Sequence, residues 1–264
     1  MVIVEAQHEA DVIAQVRKLL EGETKLVCPR SDEFLIRFIK ASKYDVKDTF
    51  ILIKDYYRAK LELPNEFVYK NPSSYLDIVG DLEFGFILPQ EDSFGRKTLF
   101  LRLGNLDPGE LDWDRCVQAV ILVLEYLSYQ PDTQNNGITL VVDCTDLTIR
   151  IMKWATPHKL KTMVKILQEC IPVRFEVLHI ANHPIVFNLF YAALRPFLRD
   201  SFTEKFKWHK APYTDLHDCI KKENIPSWLG GTLDLDSVKD WYDDILKEET
   251  LLKENPSMGY GKLK

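Results

Sequence analysis

Two histidines four positions apart, His179 and His183, come nearest to a metal-binding pair in this chain. That spacing binds zinc when both rings project from one helix face. Here an apolar, extended run ends at Ala181, and Pro184 follows His183, so no helix face is shared. His179 and Asn182 are expected to be structural hydrogen-bonding residues beside the next element. Asp143 closes the β-branched run Ile138–Val142 and would stand at the C-terminal edge of a sheet, where α/β folds bind ligands. Alone, it reads as a loop or capping residue. The chain has no G-x-S-x-G elbow, no phosphate-binding G-x-x-x-x-G-K and no G-x-G-x-x-G. The expectation is therefore a non-enzyme with no catalytic residues, no metal and no cofactor.

The stronger signal is physical rather than catalytic. From Asn182 to Leu198 the chain reads as a short helix that is apolar around nearly its whole circumference, with Pro184 at its start and Pro196 near its end. A surface helix keeps one polar face; one without it must be buried on all sides or meet something apolar outside the protein. The segment is too short to span a bilayer, which takes about 20 apolar residues. A core helix, an interfacial segment and a lid over an apolar cavity remain open.

The elements around it follow from periodicity. Val12, Ile13, Val16, Leu19 and Leu20 mark one helix. A second starts after Ser31, with Asp32 and Glu33 where the helix dipole favours acids. Asp45 caps a third, which Pro64 ends. The run Phe84–Leu88, the turn Asp92-Ser93-Phe94-Gly95 and the run Thr98–Leu103 read as adjacent strands. A long apolar helix is expected over Trp113–Tyr129, a buried strand at Ile138–Asp143, a helix from Thr156 to Cys170 and a strand from Val173 to Ala181. After the apolar helix come a strand at Phe206–His209 and a helix from Tyr213 to Glu223. This alternation implies an α/β fold, an N-terminal helical bundle followed by a mixed, mainly parallel sheet with covering helices. The expected domains are 1–75, 76–233 and a partly helical tail, 234–264. In the tail Trp241, Tyr242, Ile245 and Leu246 should dock, and Pro256 to Lys264 look loose.

Composition bounds the function classes. The 264 residues carry a net charge of -6, which argues against a nucleic-acid binder. It leaves room for a local basic patch on an anionic membrane surface. The apolar fraction of 46% is that of an ordinary soluble domain. Five dispersed cysteines, never paired as C-x-x-C, fit reduced thiols in a cytosolic protein. The first residues, with Glu5, His8 and Glu9, do not form a signal peptide.

The order of motifs resembles the CRAL-TRIO family of lipid-transfer proteins, and within it the animal branch of tocopherol and retinaldehyde carriers. The likeness rests on Asp32-Glu33-Phe34-Leu35-Ile36-Arg37-Phe38-Ile39-Lys40-Ala41-Ser42-Lys43-Tyr44-Asp45 and on Asp92-Ser93-Phe94-Gly95-Arg96 with Arg102 and Gly104. It continues through Val141-Val142-Asp143, Pro172-Val173-Arg174 with His179, Asn182 and Pro184, then Arg195-Pro196-Phe197-Leu198. It closes with Ile225-Pro226-Ser227-Trp228-Leu229-Gly230-Gly231. Departures fall at Asp146, Trp228 and Leu229.

The resemblance implies a soluble, cytoplasmic carrier, peripheral at membranes and expected to be a monomer. It would hold one small hydrophobic lipid, such as a tocopherol, a retinoid or another isoprenoid-like ligand. Its cavity wall would comprise Val117, Val120, Ile121, Leu124, Leu140, Val142, Ile151, Met163, Ile166, Leu167 and Ile180. The apolar helix becomes a mobile lid carrying Ile185, Val186, Phe187, Leu189, Phe190, Tyr191 and Leu194, with Phe197 and Leu198 behind it. Arg37, Lys40, Lys43, Arg195, Lys205, Lys207, Lys210 and Lys221 are the candidate contacts to a membrane or a phosphoinositide headgroup. Alternatives are phospholipid or phosphatidylinositol exchange, and a lipid-sensing adaptor that binds protein partners.

Overall fold

The computed structural model describes residues 2–68, 70–80, 84–253 and 257–261. Three helices come first: α1 (Val2–Gly22), α2 (Asp32–Ala41) and α3 (Val46–Glu62). The Ser31 hydroxyl accepts from the Phe34 N–H and the Asp45 carboxylate from the Asp48 N–H, so both expected caps form. Phe34, Leu35, Phe38 and Ile39 of α2 are buried against Ile53, Tyr56 and Tyr57 of α3.

Five strands then form one sheet in chain order: β1 (Gly85–Ile87), β2 (Lys97–Arg102), β3 (Ile138–Asp143), β4 (Phe175–Ala181) and β5 (Phe206–His209). β1 pairs antiparallel with β2 and every other pair is parallel. Parallel neighbours in chain order, joined by crossovers of one hand, place all their connections on one face of the sheet. Those connections are α4 (Trp113–Tyr129), then α5 (Ile149–Trp154) with α6 (Pro157–Lys165), then α7 (Ile185–Leu194).

Strand alternation divides the core. Leu99, Ile138, Leu140, Val142, Leu178 and Ile180 face the crossover helices. Phe86, Phe100, Val141 and Ala181 face the other way, onto Leu216 of α8 (Thr214–Cys219) and the returning chain at Ile220, Ile225, Leu229 and Leu233.

Several boundaries differ from the sequence reading. α6 ends at Lys165, and Ile166–Cys170 continues as a wider π turn. β4 begins at Phe175; Val173 and Arg174 precede it outside the strand, though the Arg174 carbonyl already accepts from the Ile138 N–H. α8 stops at Cys219, where Ile220 becomes extended to bury its side chain in the far core. In the tail, Tyr242 and Ile245 are buried and the Trp241 indole donates to the Val79 carbonyl. Gly259–Tyr260 is not loose: it pairs antiparallel with Leu26–Val27. Pro256 and residues 262–264 lie outside the described residues.

Candidate functional site

The crossover side of the sheet is one continuous apolar layer. Val117, Ile121 and Leu124 of α4, Ile151 of α5, Ile166, and the strand residues Leu140, Val142 and Ile180 are all buried in it. Val120, Met163 and Leu167 pack against it partly exposed. The fold thus gathers every expected wall residue into one layer. The apolar void described there measures ≈ 10 Å³ and is bounded by Val79, Leu99, Leu101, Val120, Val123 and Trp241. That is about the space of a single water, so this void alone cannot hold a lipid.

α7 covers the layer with one side only. Phe187, Phe190 and Leu194 point inward, and Leu198 is buried behind them. Val186, Tyr191 and Phe197 are half-buried at its margins. Ile185 is 88% exposed and Leu189 65% exposed. The helix is therefore not wholly buried: two large apolar side chains of its outer face stand in water, beside Asn188 and Ala192. Rings hold it to the edge strand. Trp208 of β5 meets His183, Phe187 and Tyr191 edge-on, with centroids 5.3, 5.9 and 5.1 Å apart.

The entry to α7 is fixed by polar groups. Asn182 takes a left-handed backbone, φ 54. Its side-chain amide donates to Thr145 Oγ1 at 2.9 Å, and its carbonyl accepts from Tyr213 Oη at 2.6 Å. Asp143 accepts from the Thr145 N–H and hydroxyl, which makes it a turn residue. Asn182 thus ties the ends of β3 and β4 where α7 departs.

His179 does not join this arrangement. It alternates to the far face, is wholly buried, and its Nδ1 lies 2.7 Å from His209 Nε2. Burial, then the neighbouring His209, pushes its pKa down to about 3, so the pair is neutral at pH 7. The two histidines of the sequence pair are therefore on different sides of the sheet. Among the described residues no group of three or more His, Cys, Asp or Glu is placed to hold a metal.

The basic residues separate into distinct places. Arg37 is not a surface cation. It is 1% exposed, donates to Glu125 Oε2 at 2.6 Å, and is enclosed by the rings of Phe34, Phe38, Tyr56 and Tyr129. Burial opposes its charge, but the Glu125 carboxylate more than compensates and raises its pKa. This placement removes it from any membrane contact. Lys40 and Lys43, by contrast, line an open polar cleft of ≈ 430 Å³ with Gln134, Asn135, Arg174 and Glu176. Lys205 stands beside it and donates to the Phe175 carbonyl. Burial and the nearby cations Lys43 and Arg174 lower its pKa, against the opposing pull of Glu176. In the sequence Arg174 stands out only as part of the Pro172-Val173-Arg174 motif. It anchors the cleft by donating to the carbonyls of Lys40, Gln134 and Asn135. Arg195 is exposed and paired with Asp200 at 2.7 Å. Lys207, Lys210 and Lys221 are exposed and do not line the cleft.

Residues 83–231 match the model of the CRAL/TRIO domain, which covers the sheet, its crossovers and the closing Gly230-Gly231. The chain belongs to the CRAL/TRIO family. It is 30% identical to Clavesin-1 of Rattus norvegicus over 225 residues, 84% of this chain and 63% of that protein. It is 30% identical to the Alpha-tocopherol transfer protein-like protein of Mus musculus over 226 residues, 84% of this chain and 65% of that one. The chain thus spans a little under two thirds of the length of these relatives. The solved structure of Sfh5 superposes with a TM-score of 0.56 at 15% identity, covering 94% of this chain and 98% of that one, and so shares the fold. Among the described residues no helix is long and apolar enough to cross a membrane.

Proposed function

We propose that this protein carries one small hydrophobic lipid, of tocopherol, retinoid or related isoprenoid type, and exchanges it at membranes by outward movement of α7. The observation that supports this reading is the division of α7. Phe187, Phe190 and Leu194 close the apolar layer, while Ile185 and Leu189 already face water. Apolar area is stabilised by leaving water at about 25 cal/mol per Å². An outer face of this kind gains by entering a membrane interface, and the inner face gains by following it once the lid lifts. The same swing opens the closed layer to a ligand. The protein acts as a carrier rather than a catalyst, in the cytoplasm and peripherally at membranes.

Organic extraction of the purified protein followed by lipid identification tests this. A co-purified isoprenoid lipid supports it; a phospholipid moves the reading to phospholipid exchange. Retention of no lipid, with no transfer between vesicles, ends it.

A second reading rests on the cleft of Lys40, Lys43, Arg174 and Lys205. Lys43 and Arg174 are close enough to disfavour the charge of Lys205, an effect that Glu176 opposes. A phosphoinositide headgroup would relieve that repulsion, each lysine or arginine contributing about 1 kcal/mol near an anionic surface. Vesicles with and without a phosphoinositide, compared for wild type and Lys43→Glu, check it. Equal binding in all four cases refutes it.

A further inference from the structure

Resting on the carrier reading, and narrowing its ligand to an acid rather than an alcohol such as a tocopherol, we propose that Trp113 and Lys159 form the headgroup site of the bound lipid and that the headgroup is a carboxylate. Trp113 opens α4, and Val117, Val120, Ile121 and Leu124 follow it at helical spacing. It therefore heads the stripe that walls the apolar layer. The side chain is only 8% exposed, yet its indole N–H is buried with no acceptor in the protein. Nine in ten or more buried polar groups find a partner, so an orphaned donor inside an apolar layer requires an account. Trp154 packs edge-on against the Trp113 ring at 5.2 Å.

Lys159, from the first turn of α6, supplies the charge. Its Nζ lies 5.3 Å from the Trp113 ring centroid and 5.7 Å from that of Trp154. The side chain is half-buried, and no ion pair to it exists among the described residues. One unpaired cation and one unpaired donor thus meet at a single edge of the layer, from different helices. A hydroxyl oxygen would satisfy the indole and leave the ammonium unneutralised. A carboxylate satisfies both, since each of its oxygens accepts and the whole group carries the opposite charge. The chemistry fits a monocarboxylic lipid whose apolar chain lies in the layer.

A second orphaned indole provides the control. Trp228 also has a buried N–H without an acceptor, but it lies on the far side of the sheet beneath Arg102, whose guanidinium stands 4.4 Å over its ring.

The test uses the full chain and two probes, oleate and methyl oleate, each competing with a fluorescent polyene fatty acid. Trp113→Phe should weaken both probes about tenfold, the scale of one hydrogen bond, because both offer a carbonyl oxygen. Lys159→Met should weaken oleate by a similar factor and leave the ester unchanged. Trp228→Phe should alter neither. If Trp113→Phe does not fold, the wild-type indole N–H resonances give the answer: oleate should shift one resonance that persists in Trp154→Phe, Trp208→Phe, Trp228→Phe and Trp241→Phe. Wild-type affinity for oleate in both Trp113→Phe and Lys159→Met overturns the proposal. So does a wild-type protein that holds a neutral lipid but not oleate, an outcome that leaves the carrier reading intact. A protein that binds no lipid at all overturns both.

Discussion

Arg37 and Glu125 are 88 positions apart in sequence and 2.6 Å apart in space, with both side chains withdrawn from water. The pair joins α2 of the helical segment to α4 of the sheet layer. Ser128 accepts a further hydrogen bond from Arg37 at 3.0 Å. Removing one member leaves the other charged and buried. Arg37→Ala is expected to cost about 3–5 kcal/mol. Arg37→Met combined with Glu125→Leu should recover much of that loss, because no charge is then stranded. Urea denaturation of the two variants measures the difference; equal destabilisation would show that the pair matters only for its shape.

The outer face of α7 should matter for membranes and little for folding. Ile185→Asp and Leu189→Asp remove exposed side chains, so stability should change by less than about 0.5 kcal/mol. Membrane affinity should fall about tenfold for each, given about 1.5–3 kcal/mol for burying one such side chain. Phe190→Asp, on the inner face, should damage both stability and ligand extraction. Vesicle flotation and melting temperature separate the two faces.

The His179–His209 pair predicts a pH dependence of stability. His179 is held neutral, with its pKa depressed to about 3 in the folded state by burial and then by His209. Unfolded, it takes a proton near its ordinary value of about 6.5. Between these values the unfolded state binds more protons, so stability falls as pH drops from about 6.5 toward 3. The slope from this group approaches about 1.4 kcal/mol per pH unit once below 6.5. His179→Gln should flatten the slope, which denaturation midpoints at pH 7 and 5.5 would reveal.

Gly104 lies where a Cβ would overlap the Thr145 carbonyl oxygen in the loop after β3. The obstacle is backbone, which cannot rotate aside as a side chain can. Gly104→Ala should therefore cost about 1–3 kcal/mol and shift the Thr145–Asn182 bond that sets the root of α7. A variant with unchanged melting temperature and unchanged lipid exchange would contradict this.

How much of this was legible in the sequence depends on the range of the interaction. The alternation of strands and helices, the mainly parallel sheet and the apolar character of α7 were readable, because periodicity and turn chemistry are local. The residues read as a cavity wall fall in or against the buried core for the same reason: each belongs to an apolar stripe of its element. The caps at Ser31 and Asp45 were readable within three residues of their partners.

What the local signals could not carry was the identity of distant partners. Arg37 read as a surface cation because an arginine is rarely buried without a partner, and Glu125 is nowhere near it in the chain. The same limit hid Arg174 as the anchor of the cleft, hid His209 as the partner of His179, and left Trp113 unnoticed. Periodicity states which side chains share a face; only packing states what that face meets. The division of α7 into a closed inner side and a wet outer side was decided there, since a helix of uniform hydropathy has no internal preference for which side to bury.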